Sequence, residues 1–423
     1  MEKKYFLVSA YAAVFLALYL LTEGFEYLVQ YLNLRHMGKA GRKVPPEFIG
    51  HMDEAAMVKS MEYEAEKIRF GFISGIAGNI GVLVFIFGGL LNAYNSWITS
   101  LGLPFAVSGW LFFILLFYAG EFLGAPFSLY RTFRIENRYG FNTTTPKLWI
   151  SDFLKSLIIS TVTLSALAFA AFGLIRWSPA HWWFWVWGFL FVFGIFMMYI
   201  SPRLIEPLFN KFVPLDDEAL REKVVGLAER AGIKAGRILK VDASKRSTHS
   251  NAYFTGLGKT KRIVLFDTLL KGMEQDETLA VIAHEIGHWK KRHILKMMAL
   301  FEAFTFAALW AAWHIVRGGV LGPVFGIGRD TAFAELLLLG FIAGIVSMPL
   351  RAFMNLLSRR NEDEADAFAC GITAEPKAMA RALVKLSREN LSNPHPPHPL
   401  YVALYHSHPP VLRRIRRILD FKN

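Results

Sequence analysis

The sequence predicts an α-helical integral membrane protein with seven spanning helices and a soluble module between the fifth and the sixth. Three observations lead there. Apolar residues make up 54% of the 423 residues and aromatic residues 15%, beyond the range of ordinary soluble domains. Seven apolar segments reach the roughly 20 residues that a helix needs to cross about 30 Å of hydrocarbon. The widest interruption of that pattern, residues 201–293, reads as amphipathic helix and short strands.

The seven segments run approximately over 5–33, 70–92, 105–128, 156–175, 181–200, 294–316 and 334–356. The fourth and fifth are separated only by "RWSPA", which fits two antiparallel neighbours. The first is expected to be a retained anchor, because it is too long for a signal peptide and shows no small-residue cleavage pattern before Glu23 and Glu26.

Alternate links lie on opposite faces of the membrane. Residues 34–69 and 129–155 together carry twelve Lys and Arg, against five on the other face (Lys3, Lys4, Arg176, Arg317 and Arg329). The positive-inside rule then makes the first face cytoplasmic, together with 201–293 and the C-terminal tail, and leaves the N-terminus outside. The net charge of +13 follows from this topology and from attraction to anionic lipid head groups. No nucleic-acid motif competes for it, so membrane lipids rather than nucleic acid are the expected charged partners. Cys370 is the only cysteine, which excludes an intramolecular disulfide and a thiolate metal cluster. Any zinc must therefore rest on histidine and carboxylate.

The chain divides into membrane helices one to five with their cytoplasmic loops (1–200), a soluble segment (201–293), helices six and seven (294–357) and a C-terminal segment (358–423). Within the soluble segment, "PLDDEALREKVVGLAERAG" has acidic residues in its first turn and a glycine stop, the marks of a surface helix of about four turns. "RILKVDAS", "NAYFTGLGKTK" and "RIVLFD" read as strands and a turn, giving a small sheet over 238–266.

The chemistry sits in "DETLAVIAHEIGHWKKRH", whose acidic start and helical spacing place it on a helix. Four residues of α-helix turn by about 400°, so His284 and His288 stand about 40° apart on one face and can share an ion. Glu285, beside the first ligand, can take a proton from water that zinc has acidified. His293 lies nine positions beyond His284, about 900° on a continuing helix, and is predicted to face the opposite way. The better third ligand is in "SRRNEDEADAFA", where Glu362 and Asp366 share a helical face while Asp363 and Glu364 point to solvent. This is the thermolysin-like spacing, in which one carboxylate binds zinc and an aspartate one turn later orients a ligand histidine.

With these motifs in place, the sequence resembles the type I CAAX prenyl endopeptidases, membrane zinc metalloproteases that include the a-factor-converting and prelamin-processing enzymes. The matching stretches are "PFSLYRTFRIENRYGFN", "PLFNKFVPL", "SKRSTHSNAYFTG", "KRIVLFDTLL", "HEIGHWKKRH", "SRRNEDEADAFA" and "YHSHPP", in the family's order and spacing. The resemblance implies seven helices forming a barrel around a water-filled chamber, with a gluzincin-type zinc metalloprotease domain that contains the small β-sheet. It implies His284, His288 and Glu362 as ligands of one Zn2+, Glu285 as general base and Asp366 behind the ligands. It places His408 of "SHPP" as the oxyanion donor, and Asn251 and Ala252 on a strand that holds substrate backbone.

The implied activity is zinc-dependent cleavage of a peptide or protein, prenylated or not, near its C-terminus inside the chamber. The chain ends "DFKN" without a dilysine-type signal, which favours a prokaryotic plasma membrane over the endoplasmic reticulum. The chamber would also account for Glu23, Glu26, Glu121 and Glu302 at membrane depth. Two other readings predict different chains. A heat-shock-type quality-control metalloprotease would be much shorter with fewer spans, and a transporter or lipid chamber with a structural metal would have no use for Glu285.

Overall fold

The protein is described from a computed structural model covering residues 2–41, 43–233, 236–256, 262–327 and 332–421. Seven long apolar helices cross the membrane: Glu2–Ala40, Glu54–Phe87, Phe105–Tyr130, Pro146–Trp177, Trp182–Ile200, His293–Gly318 and Ala332–Thr373. The second starts well before residue 70, at an Asp53 cap that accepts from Ala56 N at 2.7 Å. It stops at Phe87, ahead of expectation, because Gly88 and Gly89 follow and Gly89 turns the chain at φ 83°. The link that follows contains a further helix, Leu90–Ser100, which buries Leu91 and Ile98.

These helices form a ring. Each touches its neighbour in the chain, the short Leu90–Ser100 helix bridging the second and third, and the seventh returns to touch the first. No more than 22% of the most apolar stretch of any span is buried. Helices packed on one another around a solid centre would bury a whole stripe each, so the ring encloses a chamber. Polar ties between neighbouring helices satisfy groups that lipid could not. Asn79 Nδ2 donates to Glu23 at 2.7 Å and Tyr19 OH donates to Asn79 at 2.9 Å. Glu26 pairs with Arg351 and accepts from Tyr405 OH. Glu23 and Glu26 thus join helices, whereas Glu121 is exposed and Glu302 keeps one oxygen buried without a hydrogen bond among the described residues.

Both ends of the ring are closed. At one end, Leu91, Ile98, Phe112, Phe172, Leu321, Phe333 and Leu338 form an apolar plug. At the other, the soluble segment packs against the end of the seventh helix and the C-terminal helices. The first and third links join this end: Phe48 and Met57 pack with Leu412 and Ile415, and Tyr63 with Tyr139 and Phe141. The segments expected on one face therefore do gather on one face.

The sheet has four strands in the order β1-β2-β4-β3: Phe212–Pro214 (β1), Arg237–Val241 (β2), Ala252–Thr255 (β3) and Arg262–Phe266 (β4). β2 and β4 run parallel, and the outer strands are antiparallel to their neighbours. The sequence reading missed β1, whose three residues are too few to show alternation. The expected surface helix is Glu218–Arg230, capped by Asp217, whose side chain accepts from Leu220 N.

Candidate metal centre

The helix Gln275–Lys290 carries both histidines, and its phase is set at its start. Glu274 and Glu277 form a reciprocal capping box. Glu277 is almost fully buried and holds Lys385 at 2.7 Å, fastening this end to the helix Pro376–Glu389. The helix then lies unusually close to Ala332–Thr373. A Cβ built on Gly287 would stand 3.1 Å from Ala365 Cα and 3.2 Å from Ala365 O, so a larger residue at 287 would require the two helices to give by a few tenths of an ångström.

That approach delivers the three predicted ligands to one point. His284 Nε2 is 3.1 Å from His288 Nε2 and 3.3 Å from Glu362 Oε2, and His288 Nε2 is 3.1 Å from Glu362 Oε1. Glu362 Oε2 is buried and lacks a hydrogen bond among the described residues. Two imidazole nitrogens and a carboxylate facing each other in this way form the donor set of a protein zinc site. A shared cation satisfies them. Bonds of about 2.0–2.1 Å in a tetrahedron place ligand atoms about 3.3 Å apart, which matches the observed separations.

Around the trio, Asp366 Oδ1 lies 2.8 Å from His284 Nδ1, the position from which a carboxylate can orient a ligand ring. Burial opposes protonation of His284, but the Asp366 and Glu362 carboxylates outweigh it and raise its pKa to about 9. Glu285 follows His284 on the helix, and burial pushes its carboxyl above the ordinary range. His408 Nε2 reaches to 3.3 Å from Glu362 Oε1, with Ser407 Oγ 2.9 Å from its Nδ1, and the ring is otherwise open to the space before the trio.

Sequence reasoning missed Arg414. Its guanidinium grips Asp366 with two bonds of 2.8 and 2.7 Å and approaches Glu362 at 3.6 Å. The sequence gives only a partial signal: in "VLRRIRRIL" the stripe of Leu412, Ile415 and Ile418 is buried, and Arg414 and Arg416 flank it equally, about 100° from its centre on either side.

His293 corrects the expectation. The helix does not continue to it: it ends at Lys290, Arg292 turns at φ 57°, and a new helix starts at His293. The turn brings His293 Nδ1 back to 3.0 Å from His288 Nδ1. Glu364 and Asp363 point away from the trio as expected but are not simply solvated. Glu364 Oε2 lies 3.2 Å from His293 Nε2, and Asp363 pairs with Arg417.

β3 is an edge strand that packs on the histidine helix, with the Phe254 and Trp289 rings 5.0 Å apart. Phe266 N donates to Asn251 O, so Asn251 and Tyr253 point their backbone at β4, while Ala252 and Phe254 point theirs at the free edge. The Asn251 side chain accepts from Ala252 N at 2.9 Å. A cavity of about 770 Å³ lies where the histidine helix and β3 meet the ends of the fifth and sixth membrane helices, lined by Met197, Met198, Phe254, His288, Ile294 and Leu295 with Lys290 and Arg292.

Comparison with known proteins agrees with this geometry. Residues 33–211 match the CAAX prenyl protease N-terminal region of five membrane helices, and residues 214–422 match peptidase family M48. The chain belongs to family M48. It is similar to CAAX prenyl protease 1 homolog of Arabidopsis thaliana, 34% identical over 92% of this chain and 93% of that protein. It is also 33% identical to CAAX prenyl protease 1 of Saccharomyces cerevisiae over 91% of this chain and 90% of the other. The crystal structure of S. mikatae Ste24p superposes with a TM-score of 0.88 at 32% identity over 99% of both chains. The M48 fold, a membrane metalloendopeptidase of the Ste24 type, thus spans the chain from the membrane ring to the C-terminal helices.

Proposed function

We infer that this M48 enzyme binds one zinc ion through His284, His288 and Glu362 and cleaves peptides near their C-terminus. The observation that supports this best is the convergence of those three ligand atoms at the end of the membrane ring that the soluble segment covers. When bound, zinc supplies Lewis acidity to water and to the scissile carbonyl. Glu285 takes the proton of the attacking water and returns it to the departing amine. His408 donates from Nε2 to the oxygen that gains charge as the carbonyl becomes tetrahedral. Asp366, held by Arg414, keeps His284 in its ligating tautomer.

The peptide lies along the free edge of β3, bonding to the backbone of Ala252 and Phe254 at the head of the strand that Asn251 opens. The apolar cavity beside His288 suits a lipidated residue entering from the bilayer between the fifth and sixth helices. The proteins this chain resembles are named for prenylated CAAX substrates, and a prenylated C-terminal peptide is the substrate proposed here. The catalytic face is cytoplasmic, on the twelve-to-five count of cations.

Cleavage of one peptide with and without its prenyl group, by protein in detergent and with a chelator control, tests this reading. Chelation should abolish cleavage, and the prenyl group should raise kcat/KM. Zinc should be lost from His284→Ala, His288→Ala and Glu362→Ala but retained by an inactive Glu285→Ala. Full zinc content in Glu362→Ala would move the third ligand elsewhere.

A further inference from the structure

We propose that His293 and Glu364 are positioning residues for the metal centre. His293 holds the His288 imidazole in the tautomer and rotation that aim Nε2 at the ion, and Glu364 holds His293. The proposal rests on the reading of His288 as a ligand.

The protons decide it. His288 Nε2 stands 3.1 Å from both His284 Nε2 and Glu362 Oε1, so it ligates only if unprotonated, and the proton of the neutral ring is then on Nδ1. The neighbour of that nitrogen is His293 Nδ1 at 3.0 Å. It must accept, which puts the proton of His293 on Nε2, where Glu364 Oε2 accepts at 3.2 Å. One proton fills each contact, and with neutral rings no other distribution leaves His288 Nε2 free to ligate.

Packing alone does not account for His293. Its ring is only 2% exposed, and a buried imidazole is costly without partners where an aliphatic side chain would not be. The backbone is also bent to deliver it, with Arg292 at φ 57°, ψ 34°, a left-handed conformation that non-glycine residues seldom adopt. The two ligand histidines are supported differently. His284 faces the Asp366 carboxylate directly, whereas His288 faces a neutral ring that keeps the charge of Glu364 one imidazole away. Glu362 and Asp366 already bring two carboxylates to the site, with Glu285 next to His284 in the chain, and His293 orients His288 without adding another close negative charge.

The test uses purified full-length protein loaded with zinc. Release to a chromophoric chelator gives the metal off-rate, and the visible absorption of the cobalt(II)-substituted protein reports ligand geometry. His293→Leu should release zinc about 10- to 100-fold faster and shift the cobalt band. His293→Gln, whose amide can accept from His288 and donate to Glu364, should restore both to within a few-fold. Glu364→Ala should fall between them. Wild-type release and an unshifted band in a monodisperse His293→Leu would overturn the proposal, as would equal impairment by Leu and Gln. Should His293→Leu fail to fold, unchanged release and band in Glu364→Ala would overturn it. Full zinc retention by His288→Ala would instead overturn the assignment of the ligand, a separate failure.

Discussion

Gly287 and Ala365 stand so close that a Cβ on Gly287 would lie 3.1 Å from Ala365 Cα, inside the 3.5–4.0 Å of ordinary carbon contact. The obstructing atoms are backbone, so Gly287→Ala must push the histidine helix off the Glu362 helix. The expected cost is about 1–3 kcal/mol, read as a lower Tm in detergent, with weaker zinc retention. Gly371, on the same long helix, has nothing within 4 Å of its added Cβ. Gly371→Ala should therefore be neutral or stabilise by up to about 1 kcal/mol. Equal behaviour of the two variants would show that the close approach is not needed.

Arg414 provides the charge that lets two carboxylates share a buried site. Its side chain is 11% exposed and it pairs with Asp366, itself 8% exposed, at 2.7 Å. Arg414→Leu leaves Asp366 with His284 alone, and breaking such a buried pair costs about 3–5 kcal/mol. Thermal unfolding and zinc content should both fall, while Arg413→Leu, on the exposed side of the same helix, should leave both near wild type. A wild-type Tm in Arg414→Leu would remove this role.

Burial raises the Glu285 carboxyl, the neighbouring Glu362 charge adds to this, and His284 and His288 work against it. The base must be ionised to accept a proton, so activity is present above its pKa and lost as pH falls through it. A raised pKa moves that loss upward in pH. The acid limb of kcat/KM should lie above the ordinary carboxylate range. A limb at or below that range would assign it to another group.

His408 Nε2 stands at the ligand cluster with Ser407 holding Nδ1, the geometry of an oriented donor. His408→Ala should lower kcat about a hundred- to thousand-fold, or about 2.7–4 kcal/mol, with KM and zinc content little changed. The ring of His406 packs instead against Tyr401, and His406→Ala should lose far less. Near wild-type turnover in His408→Ala would leave the oxyanion partner unidentified.

Much of this protein was legible in the chain because the relevant signals are local. Hydrophobic length defines a membrane span within one stretch of sequence, and the spacing of four in His284/His288 and Glu362/Asp366 defines a shared helical face. Neither needs knowledge of a distant contact. Ring closure, the plug at Phe112 and Phe333, and the pairing of Arg414 with Asp366 all depended on which distant surfaces meet. His293 shows the difference most clearly. Its exclusion assumed a continuous helix, and the break at Arg292 comes without the glycine or proline that would have announced it. The chain accepts a strained turn there because contacts won elsewhere, with His288 on one side and with Glu364, 71 residues further along, on the other, offset its cost. Such compensation between distant groups is a property of the folded molecule and leaves no local mark in the sequence.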